Sequence, residues 1–123
     1  MDHSSSFLDL VNDAKTRIKE ISPQKLFALL EENEKLVLLD VREADEWFSG
    51  HLPRALHLPR GLLERDVEKL IHDKKTAIVT YCAGGYRSAL AADNLMKMGY
   101  KNVLSLKGGV KEWRLNKLPL IVE

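Results

Sequence analysis

A chain of 123 residues is long enough for one domain, whose single core can bury about two thirds of the unfolded surface. Its hydrophobic content of 45% and charged content of 30% match a soluble globular protein and exclude a disordered tail or a membrane-embedded one. A net charge of +1 removes any global electrostatic case for nucleic acid or a membrane surface, so useful charge has to be local.

One cysteine rules out an intrachain disulfide framework, and four scattered histidines add no zinc-type spacing. The opening stretch MDHSSSFLDLVNDAKTRIKE lacks the basic region, apolar core and small-residue cleavage site of a secretory leader. No apolar run approaches the roughly eighteen residues that span a bilayer. The expectation is a cytoplasmic protein whose lone thiol stays reduced.

Along the chain, Phe7, Leu10, Val11, Ala14 and Ile18 recur at helical spacing and predict an amphipathic helix over 5–17. The extension 1–17 is expected to dock on the domain formed by 18–123; the alternative is an arm for a partner. Residues 18–22 suggest a short edge strand. Ser22 and Pro23 then read as the cap and first position of a helix through Leu30. The apolar run 35–41 predicts a strand buried on both faces of a parallel sheet. Residues 43–49 read as a short helix closed by Gly50, and 55–59 as a short strand. A helix follows over 61–71, with Leu62, Leu63, Val67, Leu70 and Ile71 expected to face inward. Residues 76–81 form the next buried strand, 87–98 a helix stopped by Gly99, and 102–106 the last strand. Gly108 and Gly109 turn into a short helix over 110–115. This alternation predicts an α/β fold: a mainly parallel sheet of about five short strands with helices on both faces.

The only cysteine, Cys82, ends a predicted strand in VTYCAGGYRSAL. In open α/β sheets, ligands bind at the carboxyl ends of the strands. Gly84 and Gly85 allow positive φ, so successive N–H groups can converge as an anion nest. The helix beginning near Arg87 adds unpaired N–H groups and its dipole, and Arg87 adds a full charge. A thiol centred there would titrate between roughly 3.5 and 7.5 instead of about 8.5, and an anion formed on its sulfur would be stabilised. The competing reading is a buried cysteine acting as a small hydrophobe. The glycine pair, the arginine and the strand-loop-helix context favour the nucleophile.

Asp40, near the end of the predicted strand 35–41, and Arg42, just beyond it, read as supports that hold the loop's shape. His51 reads as a turn residue, and Trp47 and Trp113 as packing. Arg60 and Lys107 either add positive potential near the mouth or are solvated surface.

Three stretches in order resemble the rhodanese domain family: LLDVREADEWFSGHLPRALHLPRGLLE (38–64), CAGGYRSALAADNLMKMGYKNVLSLKGGVKEW (82–113) and, within the latter, the closing GGVKEW (108–113). The resemblance implies that Cys82 is the sulfur acceptor and nucleophile. It likewise makes Ala83, Gly84, Gly85, Tyr86, Arg87 and Ser88 the substrate-binding cradle. The reaction it implies is a double displacement. Thiolate takes the outer sulfur of thiosulfate, sulfite leaves, and the Cys82 persulfide passes its sulfur to cyanide or a thiol. No metal or organic cofactor is implied, because the covalent intermediate carries the group itself. Related phosphatases and arsenate reductases usually place five residues between cysteine and arginine; here four intervene. Implied partners are a small anionic donor, a thiol or cyanide acceptor and, alternatively, a protein sulfur donor or acceptor served by a persulfide relay. A non-catalytic interaction module is the third reading. One departure is Arg54, where the family often has glycine, so this turn either tolerates a side chain or holds Arg54 in a left-handed conformation.

Overall fold

The two most continuous apolar runs of the chain become neighbouring strands in the middle of one sheet. In the computed structural model, which describes residues 3–33 and 35–122, β1 (Lys19–Ile21), β2 (Val37–Asp40), β3 (Ala55–His57), β4 (Ala77–Tyr81) and β5 (Asn102–Leu106) pair in the order β1-β5-β4-β2-β3. Every pairing is parallel. Six helices connect them: α1 (Ser5–Lys15), α2 (Pro23–Glu32), α3 (Ala44–Phe48), α4 (Leu63–Leu70), α5 (Tyr86–Lys97) and α6 (Gly109–Leu115). The predicted α/β fold with a parallel five-stranded sheet is therefore the fold observed.

Strand residues alternate between two cores. Leu39 and Ile78 face one with Val11 of α1, Leu63 and Val67 of α4, and Ala89 and Leu95 of α5. Leu38 and Val79 face the other with Leu26 of α2, and Val110 and Trp113 of α6. Helices thus cover both faces, as a parallel sheet requires. Ser22 caps α2 by accepting from the Lys25 N–H at 3.3 Å, with Pro23 opening the helix. Gly50 and Gly99 adopt φ of 139° and 101° where their helices stop.

Three apolar residues lie elsewhere than their spacing suggests. Leu10 on α1 is exposed, as are Leu62 and Leu70. Residues 60–62 form a turn ahead of α4, and the extended Ile71 after it fills the inward position that Leu70 leaves. Eight helical residues present too narrow a face for all five.

Helix α1 packs along α5 through buried Val11 and Ala14. Beyond its end, Arg17 donates from Nε and Nη2 to the Asp93 carboxylate at 2.9 and 2.8 Å. Arg54 does sit in the left-handed region, with φ 67°. Its guanidinium reaches the carbonyls of Leu30, Asn33 and Leu36, closing the C-terminal end of α2. Among the described residues no helix is long and apolar enough to cross a membrane.

Candidate active site

Parallel strands deliver their carboxyl ends to one edge, and Cys82 is the first residue beyond β4 there. Its side chain is only 1% exposed. The loop from Ala83 to Gly85 turns back over it, and Gly85 makes that turn at φ 97° as the cap of α5. Two backbone N–H groups then point at sulfur: Gly85 donates to Sγ at 3.1 Å and Ser88 at 3.4 Å. The Ser88 hydroxyl lies 3.5 Å from Sγ and accepts from the Ser105 hydroxyl at 2.8 Å. Thr80 donates to the Ser88 carbonyl at 2.9 Å, tying the first turn of α5 to β4.

The other side of the loop is held by α6. Its Val110 and Lys111 N–H groups donate to the carbonyls of Cys82 and Ala83 at 2.9 and 3.0 Å. This approach needs glycine twice. Gly109 has φ 57°, and a Cβ there would press on the Cys82 carbonyl oxygen and lie 2.7 Å from the Ala83 carbonyl. A Cβ on Gly85 would meet the Gly108 nitrogen at 3.2 Å. The closing GGVKEW stretch therefore braces the cysteine loop from behind.

Arg87 turns its guanidinium to Glu46 on α3, donating to both carboxylate oxygens at 2.7 and 2.9 Å. That contact holds the Glu46 carboxyl below its ordinary range and Arg87 above its own, chiefly through these hydrogen bonds. Glu46 also accepts from the Glu43 N–H at 3.1 Å, closing a capping box at the start of α3.

Asp40 and Arg42 form a buried network one strand away. Arg42 donates from Nε and Nη2 to Asp40 at 2.8–3.1 Å and from Nη2 to the Gly50 carbonyl at 2.7 Å. The Tyr81 hydroxyl donates to Asp40 at 2.7 Å and accepts from the Leu52 N–H at 3.1 Å. Burial, followed by the Asp40 carboxylate, pushes Tyr81 far above its ordinary pKa. This network fastens the end of β2 to the turn after α3, the helix that carries Glu46. His51 bonds the Leu52 carbonyl and stacks on Trp47 with centroids 3.6 Å apart. Trp113 is fully buried, Arg60 pairs with Glu64, and Arg60 and Lys107 do not line the cysteine cleft.

That cleft measures about 700 Å³. Cys82, Ala83, Gly84, Tyr86 and Arg87 line it together with Glu46, Gly108, Lys111, Glu112, His3 and Phe7. The last six lie outside the cysteine loop; Glu46, Gly108, Lys111 and Glu112 fall in the family-like stretches, but nothing in the sequence assigned any of the six to the cleft. Phe7 carried a signal, but as part of an apolar helix face; nothing in the spacing joined residues 3–7 to residue 86. Among the described residues no three His, Cys, Asp or Glu side chains cluster as a metal site would.

The family model of the rhodanese-like domain matches residues 22–116. A protein of Allochromatium vinosum named sulfurtransferase is 35% identical over 104 residues, covering 85% of this chain and 95% of its own. The thiosulfate sulfurtransferase GlpE of Coxiella burnetii is 34% identical over 96 residues, covering 78% and 87%. A solved protein of unknown function from Rhodopseudomonas palustris, described as a possible tyrosine phosphatase, superposes with TM-score 0.87 at 27% identity, covering 98% and 99%. The polysulfide-sulfur transferase homodimer of Wolinella succinogenes superposes with TM-score 0.82 at 31% identity, covering 97% and 89%. With its cysteine loop at the carboxyl edge of a parallel sheet and a family match over most of its length, this chain belongs to the rhodanese-like domain family.

Proposed function

We propose that this chain is a sulfurtransferase in which Cys82 takes a sulfane sulfur from a small donor, thiosulfate or inorganic polysulfide, and passes it to a thiol or cyanide. The observation that carries the reading is the pair of N–H groups, from Gly85 and Ser88, aimed at Sγ at the floor of an open cleft. Donors fixed in place stabilise a sulfur anion without reorganising during the reaction. Cys82 is the nucleophile, residues 83–88 are its cradle, and Asp40 and Arg42 position the neighbouring helix.

Attack of the thiolate on the outer sulfur of thiosulfate forms the Sγ–S bond and releases sulfite with the electron pair of the broken S–S bond. Cyanide or a thiolate then attacks the persulfide's outer sulfur, and the pair returns to Sγ. Each half-reaction is one displacement at sulfur, which needs no acid on a leaving oxygen.

The phosphatase alternative fits less well. A phosphate would need the Arg87 fork, and Glu46 already occupies it. The relay alternative loses its candidate arm, since the apolar face of α1 lies against α5. Incubation with thiosulfate should add about 32 Da, one sulfur atom, at Cys82, removable by dithiothreitol. Cyanide should then yield thiocyanate, and Cys82→Ser should do neither. An active serine variant, or hydrolysis of aryl phosphate without sulfur uptake, would overturn the reading.

A further inference from the structure

The family match begins at residue 22, after α1, yet α1 contributes to the cleft. His3 meets the Tyr86 ring edge-on at 4.7 Å, and Phe7 stands 6.3 Å from the same ring. His3 and Phe7 are 5.1 Å apart. Three rings from two distant segments therefore share one wall of the cavity that has Cys82 at its floor. The wall is anchored: Val11 and Ala14 are buried beneath it, and Arg17 is tied to Asp93.

Two properties of this cavity leave room for a second substrate that is larger and less charged than a thiosulfate donor. Its volume, about 700 Å³, lies among sites that hold drug-sized molecules. Its ionised side chains also balance, with Glu46 and Glu112 against Arg87 and Lys111. The electrostatics therefore offer no excess of positive charge, while the aromatic wall offers contact area. Cys82 itself is nearly inaccessible, but a sulfur bonded to it extends about 2 Å further into the cleft.

We propose that His3 and Phe7 are specificity-determining residues of the acceptor half-reaction, and that with Tyr86 they seat the body of an organic thiol of roughly tripeptide size. The inference rests on the sulfur-transfer reading above. The acceptor thiolate attacks the outer sulfur of the protonated Cys82 persulfide, and a new S–S bond forms on the acceptor. The Sγ–S bond breaks and its electron pair returns to Sγ, leaving Cys82 as thiolate beside the Gly85 and Ser88 N–H groups. The product is the acceptor's persulfide, which keeps the proton of the transferred sulfur; no external oxidant or reductant enters.

The test uses the full chain, loaded with thiosulfate or polysulfide, freed of excess donor and verified by the gain of about 32 Da. Discharge is then timed with glutathione and with cyanide for the wild type, Phe7→Ala, His3→Ala and Leu10→Ala. Leu10 also lies on α1 but is 61% exposed and outside the cleft. Phe7→Ala should lower the glutathione-to-cyanide ratio of rate constants about fivefold, the scale of one lost aromatic contact, and His3→Ala about twofold. Leu10→Ala should match the wild type. If Phe7→Ala melts far below the wild type, His3→Ala decides, because His3 is exposed and precedes the helix. An unchanged ratio in a loaded variant overturns the inference and leaves sulfur transfer standing. So does a wild type that cyanide discharges and glutathione does not. Failure to gain sulfur at all overturns the sulfur-transfer reading instead.

Discussion

Glu46 holds Arg87 with both carboxylate oxygens, at 2.7 and 2.9 Å, across the space between α3 and α5. The pair sits at the rim of the cysteine cleft, and each side chain is about one third exposed. The one cation of the cysteine loop is thus neutralised by a helix that enters the chain forty residues earlier. Glu46→Gln removes that charge, and the amide oxygen can still close the capping box with Glu43. A partly exposed pair of this kind is worth at most about 1 kcal/mol. The variant should raise kcat/KM for thiosulfate about fivefold by freeing Arg87 for the dianion, an effect that salt should weaken. Steady-state rates at two ionic strengths check this; a lower value would mean that Glu46 positions Arg87 productively.

Gly109 lies against the carbonyls of Cys82 and Ala83 at φ 57°, where a side chain is both strained and obstructed. Gly109→Ala should cost about 2 kcal/mol or more, from the left-handed backbone and the displaced loop together. Sulfur uptake should fall further than the melting temperature alone explains, because the displaced segment carries the nucleophile. Loading measured by intact mass on protein that is still folded separates the two effects. Full loading would show that α6 can retreat without moving Cys82.

Much of this arrangement is written locally and is therefore readable. The runs around Leu38 and Val79 are apolar on both faces, which only a central parallel strand satisfies. Ser22-Pro23 and the glycines at 50 and 99 mark helix ends through backbone chemistry that depends on no distant partner. Glu46 is different: in sequence it is one acidic residue of a polar helix, and its meaning comes from Arg87, which only the fold brings near. The same holds for His3 and Phe7, whose spacing announces a helix face but not the Tyr86 ring beside it. Leu62 and Leu70 mislead for a related reason, since periodicity assumes a helix longer than the eight residues formed.

Acid should loosen the Asp93 tether of α1 only below about pH 4. Asp93 is nearly buried, and Arg17, then Lys97, hold its carboxyl below the ordinary 3.8. A carboxyl depressed by folding contributes stability that is complete above its unfolded pKa and is lost as pH falls through the lower folded value. Asp93→Asn should therefore cost about 2 kcal/mol at pH 7, and its deficit relative to the wild type should shrink below about pH 4. Denaturant unfolding at pH 7, 4 and 3 checks this, with a constant deficit at all three arguing for lost packing instead of lost charge.

Arg54 sets two opposing effects against each other. A left-handed backbone costs a residue with a Cβ about 1 kcal/mol, which glycine would not incur. Against this, the guanidinium donates to the carbonyls of Asn33 and Leu36 at 3.0 Å and also reaches Leu30, placing positive charge at the C-terminal end of α2. Hydrogen bonds from a charged donor contribute about 1.5–3 kcal/mol, so the bonds should outweigh the strain. Arg54→Gly should accordingly destabilise by about 1 kcal/mol and Arg54→Ala by about 2, because alanine loses the bonds and keeps the strained backbone. The difference between the two variants, read from their denaturant midpoints, isolates the left-handed cost. A glycine variant more stable than the wild type would show that the guanidinium does not offset the strain of its own backbone.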